Sequence, residues 1–209
     1  MNARPNNPLD SRNKPAVDAY FSADVETDGP IPGPFSMLSF GLVFAGTFDG
    51  SRYRRPDEFN ICFYRELQPI SEEFQAEALA VNGLDRARLI REGEPPRKAI
   101  TAAAHWIHEV AGRARPVLVA YPLSFDWSWL YWYFVRFSDV GSPFGYSRCF
   151  DIKTAVAVKA RWPISGSGRE RLDPVHQSRR AHTQRFGRRH RAGGDLRQRF
   201  PMGGGAWTN

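Results

Sequence analysis

Hydrophobic periodicity in this chain extends from about Tyr20 to Ile164 and then stops, so only that segment carries the pattern of a folded domain. The chain has 209 residues, of which 42% are hydrophobic and 24% are charged, as in ordinary globular proteins. Residues 165–209 contain eight of the 18 glycines and only five residues among Leu, Ile, Val and Phe. We therefore predict one domain over 19–164, a disordered arm over 1–18 and an unstructured Arg/Gly-rich tail over 165–209.

The net charge of +7 is located in that tail. Residues 165–209 carry ten of the 29 basic residues and three of the 22 acidic ones, which leaves 19 of each in the remainder. The body of the chain is therefore neutral, and a basic footprint for nucleic acid is confined to the tail. Cys62 and Cys149 are too few for a disulfide framework and are interpreted as small core residues. The sequence has no apolar run of membrane-spanning length and a polar N-terminus, so we expect a soluble, cytoplasmic protein with no membrane partner.

The periodicity predicts an α/β fold with a mixed sheet flanked by helices. Alternating segments at 20–26, 36–48 and 59–67 indicate three consecutive antiparallel strands, with a turn at Asp49-Gly50. Helical patterns and short apolar strands then alternate: a helix from an N-cap at Ser71 to about Val81, with Gly83 as a stop; a helix over 97–110; a strand over 116–121; an aromatic helix over 125–137 capped by Ser124; a strand over 149–152; and a helix over 154–161.

Two acidic residues on the first predicted strand are candidates for chemistry. Asp24 and Glu26 are two residues apart, so their side chains leave one face of the strand about 7 Å apart. If that face is turned inward, a divalent cation such as Mg²⁺ or Mn²⁺ would relieve both desolvation and repulsion. If it is turned toward water, the pair is an ordinary solvated strand face, and the alternation alone leaves both interpretations open.

Asp126 is the third candidate. It follows an apolar strand and lies at the start of the aromatic helix, where an acid can also serve only to compensate the helix dipole. The order of a DxE strand followed by an Asp at the start of a later helix favours a shared site.

These residues resemble a known family. FSADVETDGP resembles the first motif, and PLSFDW the second, of the DEDD-type (DnaQ-like, ribonuclease-H-fold) 3′-to-5′ exonucleases, and SMLSFGLVFAGTFDG and ALAVNGLDRARLIREGEPP extend the likeness. The resemblance implies a ribonuclease-H-like sheet, and Asp24, Glu26 and Asp126 as catalytic, metal-binding acids. It also implies a site for two Mg²⁺ or Mn²⁺ ions and, as partners, the 3′ ends of single-stranded DNA or RNA. The sequence does not decide between DNA and RNA as the substrate, nor whether the protein forms a homodimer.

The family's third motif, HxAxxD in a final helix, is expected near residues 180–190, where the given sequence has no helical pattern. Codons for residues 181–200 that are read one nucleotide later can spell HNALDD within an amphipathic helix. We therefore infer a frameshift between about Ile164 and Ala181 that leaves the chain impaired. His190 and Asp195 match HxAxxD in the given frame, but Gly193 and Gly194 cost about 2 kcal/mol in a helix interior, so we interpret this match as a decoy.

The alternative function is non-catalytic nucleic-acid binding, in which the tail arginines contact phosphates and Trp127, Trp129 and Trp132 stack on bases. Aromatic residues on a helix more often belong to a core. His105 and His108 have no acids at ligand spacing and are interpreted as surface or packing residues. Residues Arg52, Arg54 and Arg55 near the predicted hairpin are interpreted as a solvated turn.

Overall fold

The computed structural model describes residues 16–168. Their elements follow in chain order: β1 (Asp18–Thr27), β2 (Met37–Phe48), β3 (Tyr53–Arg54), β4 (Cys62–Glu66), α1 (Ala76–Asn82), α2 (Arg86–Glu92), α3 (Pro96–Ala111), β5 (Arg115–Ala120), α4 (Leu123–Phe137), β6 (Cys149–Asp151), α5 (Ile152–Ala160) and a 3₁₀ turn (Ile164–Gly166). The predicted α/β class is confirmed, with a curled mixed sheet and flanking helices.

Strand β1 lies in the middle of a six-stranded sheet whose main order is β3-β2-β1-β5-β6, with β4 also paired to β2. It runs antiparallel to β2 and parallel to β5, and the parallel pairing extends from Asp18 opposite Arg115 to Ser22 opposite Val119. Strand β5 therefore ends while β1 continues, which leaves the last residues of β1 without a neighbouring strand on that side. This step in the sheet positions the candidate site.

The alternation predicted for β1 is confirmed. Its apolar residues Ala19, Phe21, Ala23 and Val25 lie in the core, whereas the residues between them are half-buried on the opposite face. Helices α3 and α4 cover the apolar face, and the ring of Phe21 contacts Trp106 of α3 with the ring centroids 5.7 Å apart. One side of the sheet thus holds the main hydrophobic core.

The hairpin region differs from the prediction of three strands, because an additional short strand, β3, pairs with the end of β2. The backbone at Gly46 has φ 136°, and a Cβ there would collide with the carbonyl of Arg54, so glycine lets β3 approach closely. Helix α2 was also not predicted; it begins at an N-cap, Asp85, whose side chain accepts a hydrogen bond from the amide of Arg88 at 3.0 Å.

Both predicted serine caps are wrong. Helix α1 begins at Ala76 rather than near Ser71, because the amide of Gln75 donates to the carbonyl of Asp28 at 2.7 Å and holds the preceding residues in an extended path. Helix α4 begins at Leu123 after Pro122, so Ser124 lies inside its first turn. The stop at Gly83 agrees with the structure, in which this residue has φ 65° and its amide bonds to the carbonyl of Leu79.

The aromatic helix α4 is less buried than its composition predicts. Trp129, Tyr133 and Phe134 are fully buried, whereas Phe125 and Val135 are exposed. After α5, the 3₁₀ turn leads to Ser167, which is fully buried and whose carbonyl accepts a hydrogen bond from the Tyr121 hydroxyl. In the part of the chain that the structure describes, no helix is both long and apolar enough to span a bilayer.

Candidate active site

The two acids of β1 lie on its half-buried face at the carboxyl end of the strand. Val25, between Asp24 and Glu26, packs into the core with 6% of its surface exposed, so the strand cannot rotate without losing that contact. Both acids are intermediate in burial, which excludes the interpretation of a fully solvated strand face. The alternation that forms the core thus also fixes where the two carboxylates project.

Asp126 is tied to the strand that bears these acids by a hydrogen bond between distant parts of the chain. Asp126 is a buried residue, 7% exposed, and its Oδ1 accepts a hydrogen bond from the backbone amide of Val25 at 3.1 Å. Because the pairing with β5 ends level with Ser22, the Val25 amide lies beyond that neighbouring strand, and Asp126 supplies the acceptor that it needs. The structure therefore places Asp126 against the strand that bears Asp24 and Glu26, although 101 residues separate Val25 from Asp126.

Asp24 and Glu26 project from the same half-buried face of β1, and like charges on such a face, which repel one another and lose hydration, are stabilised by a bound cation. Their donors are all oxygen atoms, the type that hard divalent ions prefer. Within residues 16–168, no group of three or more His, Cys, Asp and Glu side chains is arranged to hold a metal ion. The fourth acid and the histidine implied by the resemblance, and also the decoy pair His190 and Asp195, lie outside the described residues.

Asp28 is a residue that the sequence interpretation missed. It is fully buried two residues after Glu26, and Arg86 of α2 donates its Nε–H to one carboxylate oxygen at 3.0 Å. The sequence segment DGPIPGP reads as a Pro/Gly loop, and the partner is 58 residues away, so no local pattern could have shown this ion pair.

Several other candidates lie away from the acids or inside the core. His105 and His108 are exposed on α3, and Arg54 of the hairpin forms an ion pair with Asp49 at 3.3 Å. Trp129 is fully buried, as a core residue should be, while Trp127 stacks on Tyr131 with centroids 5.1 Å apart. Arg52 and Arg55 are exposed, and Trp132 packs against Tyr133. Cys62 and Cys149 are both free thiols and half-buried.

The fold is shared with solved nuclease structures. Exonuclease I of E. coli in complex with a dA16 oligonucleotide has a TM-score of 0.50 and 18% identity, and the match covers 68% of this chain and 30% of that one. The ExoI/SSB-Ct complex also has a TM-score of 0.50, with 17% identity over 71% of this chain and 31% of that one. This chain thus spans about a third of those proteins and has the fold of a ribonuclease-H-like exonuclease domain.

Comparison with curated protein sequences identifies the family within this fold. The chain is 39% identical over 139 residues to the 3′-5′ DNA exonuclease Cap18 of Escherichia coli, and the match covers 66% of this chain and 67% of the relative. No protein-family model matches the chain. This chain belongs to the DEDD-type (DnaQ-like) 3′-5′ exonucleases, as the sequence motifs predicted.

Proposed function

We propose that this chain is built to hydrolyse phosphodiester bonds from the 3′ ends of single-stranded DNA, with Asp24, Glu26 and Asp126 as the acids that hold two Mg²⁺ or Mn²⁺ ions. The observation that carries the proposal is the hydrogen bond from the Val25 amide to Asp126, which places the third acid against the strand that bears the other two. The relative is a DNA exonuclease and exonuclease I binds a dA16 oligonucleotide, and both favour single-stranded DNA over RNA as the substrate.

The three acids would hold the metal ions in positions that the fold sets in advance. Asp24 and Glu26 are held by a strand whose other face is locked in the core, and Asp126 is oriented by a backbone amide, so the carboxylates are pre-organised before substrate arrives. Divalent ions bound there would activate a water molecule for attack on the terminal phosphodiester and stabilise the charge on the leaving 3′ oxygen.

We further propose that turnover by the chain as given is impaired. In its reading frame the only HxAxxD sequence is the glycine-containing one at residues 190–195, so the base and the fourth acid are missing. Resequencing the DNA that encodes residues 160–209 would show which chain exists. A missing or extra base would restore HNALDD and predict a complete two-metal exonuclease, whereas a confirmed frame would predict a relative that keeps the fold without the chemistry and would favour non-catalytic binding.

The test uses a 5′-labelled single-stranded oligonucleotide, which a 3′-to-5′ exonuclease shortens to a ladder of labelled products. Ladder formation should require Mg²⁺ or Mn²⁺, should be faster in a frame-restored chain and should disappear in Glu26→Gln and Asp126→Asn. His105→Ala, at an exposed position on α3, is the matched control and should retain the wild-type rate. Metal-independent hydrolysis, or activity retained by the two acid variants, would contradict the proposal.

Non-catalytic binding through the tail is the second candidate, favoured by the ten arginines among residues 165–209. Deletion of this segment should abolish salt-sensitive binding if the tail makes the contacts, because binding through phosphates weakens steeply with salt. Binding that is unchanged after the deletion would assign the contacts to the folded body.

A further inference from the structure

The backbone that follows Glu26 is tied to two other parts of the chain by Asp28. One carboxylate oxygen of Asp28 accepts a hydrogen bond from the amide of Ser36 at 2.5 Å, and the other accepts from Nε of Arg86 at 3.0 Å. The Asp28 side chain is 0% exposed and that of Arg86 is 11% exposed. A buried ion pair, in which both carboxylate oxygens of Asp28 accept hydrogen bonds, therefore lies two residues beyond Glu26.

The backbone carbonyls of Thr27 and Asp28 accept hydrogen bonds from α1 and from the residue that precedes it. The amide of Gln75 donates to the carbonyl of Asp28 at 2.7 Å, and the side-chain amide of Asn82 donates to the carbonyl of Thr27 at 2.9 Å. Arg86 donates a further hydrogen bond to the carbonyl of Ser71. The position of the strand end that bears Glu26 thus depends on groups from three separate segments.

Arg86 also contacts an aromatic ring. Its guanidinium lies 5.0 Å from the centroid of the Phe74 ring, and Phe74 is 51% exposed, so part of that ring remains accessible. Phe74 directly precedes Gln75, whose amide bonds to Asp28, so the ring lies on the segment that is docked next to the end of β1. An exposed, fixed aromatic ring is a surface on which a nucleobase can stack.

Stability alone is a weak explanation for this arrangement. Burying two charges costs desolvation energy that their attraction often does not recover, so an apolar pair of similar size would serve a purely structural role as well. Arg88, two positions further along the same helix, shows the contrast: it pairs with Glu66 but is more exposed, with 27% of its side chain accessible. Arg86 is the arginine of α2 that is sealed against the end of β1.

Building on the proposed function, we propose that Arg86 is a positioning residue. Through Asp28 it sets the backbone that carries Glu26, and through its contact with Phe74 it holds that ring as a stacking surface for a base near the 3′ end of a single strand. One buried ion pair would then couple the geometry of the metal-binding acids to the grip on the substrate.

The first experiment measures Mn²⁺ affinity of the full chain by titration without nucleic acid. The double variant Asp28→Asn/Arg86→Gln removes both charges and so leaves no lone buried charge. Arg86→Lys keeps the charge, but its donors lie on one compact nitrogen and cannot reproduce the spread of the guanidinium between Asp28 and Ser71. We expect either variant to weaken Mn²⁺ binding by on the order of tenfold while the circular dichroism spectrum stays native, since groups that orient metal ligands have effects of this size. Arg88→Gln is the matched control and should change the affinity less than about twofold, because Arg88 is a more exposed arginine whose partner, Glu66, lies on β4.

The second experiment places 2-aminopurine at the 3′ end of an oligonucleotide and measures its fluorescence on binding in Ca²⁺. Stacking on Phe74 should quench the fluorescence, and Phe74→Ala should lose the quenching and bind about tenfold more weakly, whereas Phe74→Tyr should retain both. Tyr146→Ala, at a site that is 83% exposed on another loop, should behave like the wild type.

The outcomes separate the two proposals. If Asp24→Asn weakens Mn²⁺ binding but both Asp28/Arg86 variants fold natively and keep the wild-type Mn²⁺ affinity, the positioning role is wrong and the metal site stands. If Asp24→Asn also left Mn²⁺ affinity unchanged, both the proposed metal site and the inference built on it would be wrong. Quenching that persists in Phe74→Ala would overturn the stacking surface.

Discussion

The two faces of strand β1 share one backbone, but their side chains have different roles. On one face Phe21 is fully buried and Val25 nearly so, packed under α3 and α4. On the other face Asp24 and Glu26 are only half-buried, and Asp126 from α4 accepts a hydrogen bond from the amide of Val25 between them. The comparison shows how two like charges can be held together: the energy that fixes them comes from apolar contacts on the opposite side of the strand.

If the apolar face of β1 stabilises the fold and the acidic face serves catalysis, Asp24→Asn should have the largest effect. It should lower the rate of hydrolysis without lowering stability. The substitution keeps the shape of the side chain and relieves repulsion between the acids, so the thermal midpoint should stay the same or rise. Turnover by a frame-restored chain should fall by at least about a thousandfold, or roughly 4 kcal/mol of activation free energy. A large drop in the thermal midpoint would show that this face also supports the fold.

Phe21→Ala tests the apolar face. Removing a fully buried ring that contacts Phe44, Trp106 and Phe144 should lower the free energy of unfolding by about 3–5 kcal/mol, as large-to-small core changes do. Denaturant unfolding monitored by circular dichroism would measure the loss. Wild-type stability would mean that the core does not anchor β1 as the structure indicates.

Tyr133→Phe should have a smaller effect, at the border between the two regions. The Tyr133 hydroxyl accepts a hydrogen bond from the amide of Met37 at 2.7 Å, and burial raises the pKa of this phenol well above its usual range. Removing the hydroxyl leaves a buried amide without that acceptor and should cost about 1–3 kcal/mol of stability. The same unfolding experiment applies, and an equal or higher stability of the variant would refute the expected role of this bond.

Asp49, in the hairpin at the far end of the sheet, should show the smallest effect and a defined pH dependence. The amide of Arg52, followed by the Ser51 hydroxyl, lowers the pKa of this carboxyl from 3.8 to about 2. Because the folded-state pKa is the lower one, its stabilising contribution is complete above pH 3.8 and is lost as the pH falls through about 2. The stability difference between wild type and Asp49→Asn should therefore shrink as the pH is lowered over this range. A difference that is constant with pH would contradict the assignment.

Much of the fold was predictable because its patterns are local. The alternation in β1, the helical period of α3 and the left-handed stop at Gly83 each depend on neighbouring residues, and the structure agrees with all three. The predictions failed where a distant group decided the outcome. Ser71 is not a cap because the segment after it is bound to Asp28, and α4 is partly exposed because the core accommodates only one of its sides.

The sequence by itself determined the class of fold, the strand face that bears Asp24 and Glu26, and the membership in an exonuclease family that the motifs indicated. The tertiary structure alone decided that Asp126 reaches the Val25 amide and that Asp28 is sealed against Arg86. Those partners are 101 and 58 residues apart. Contacts over such distances depend on where β5 ends and how the helices pack, and no local periodicity encodes either of these.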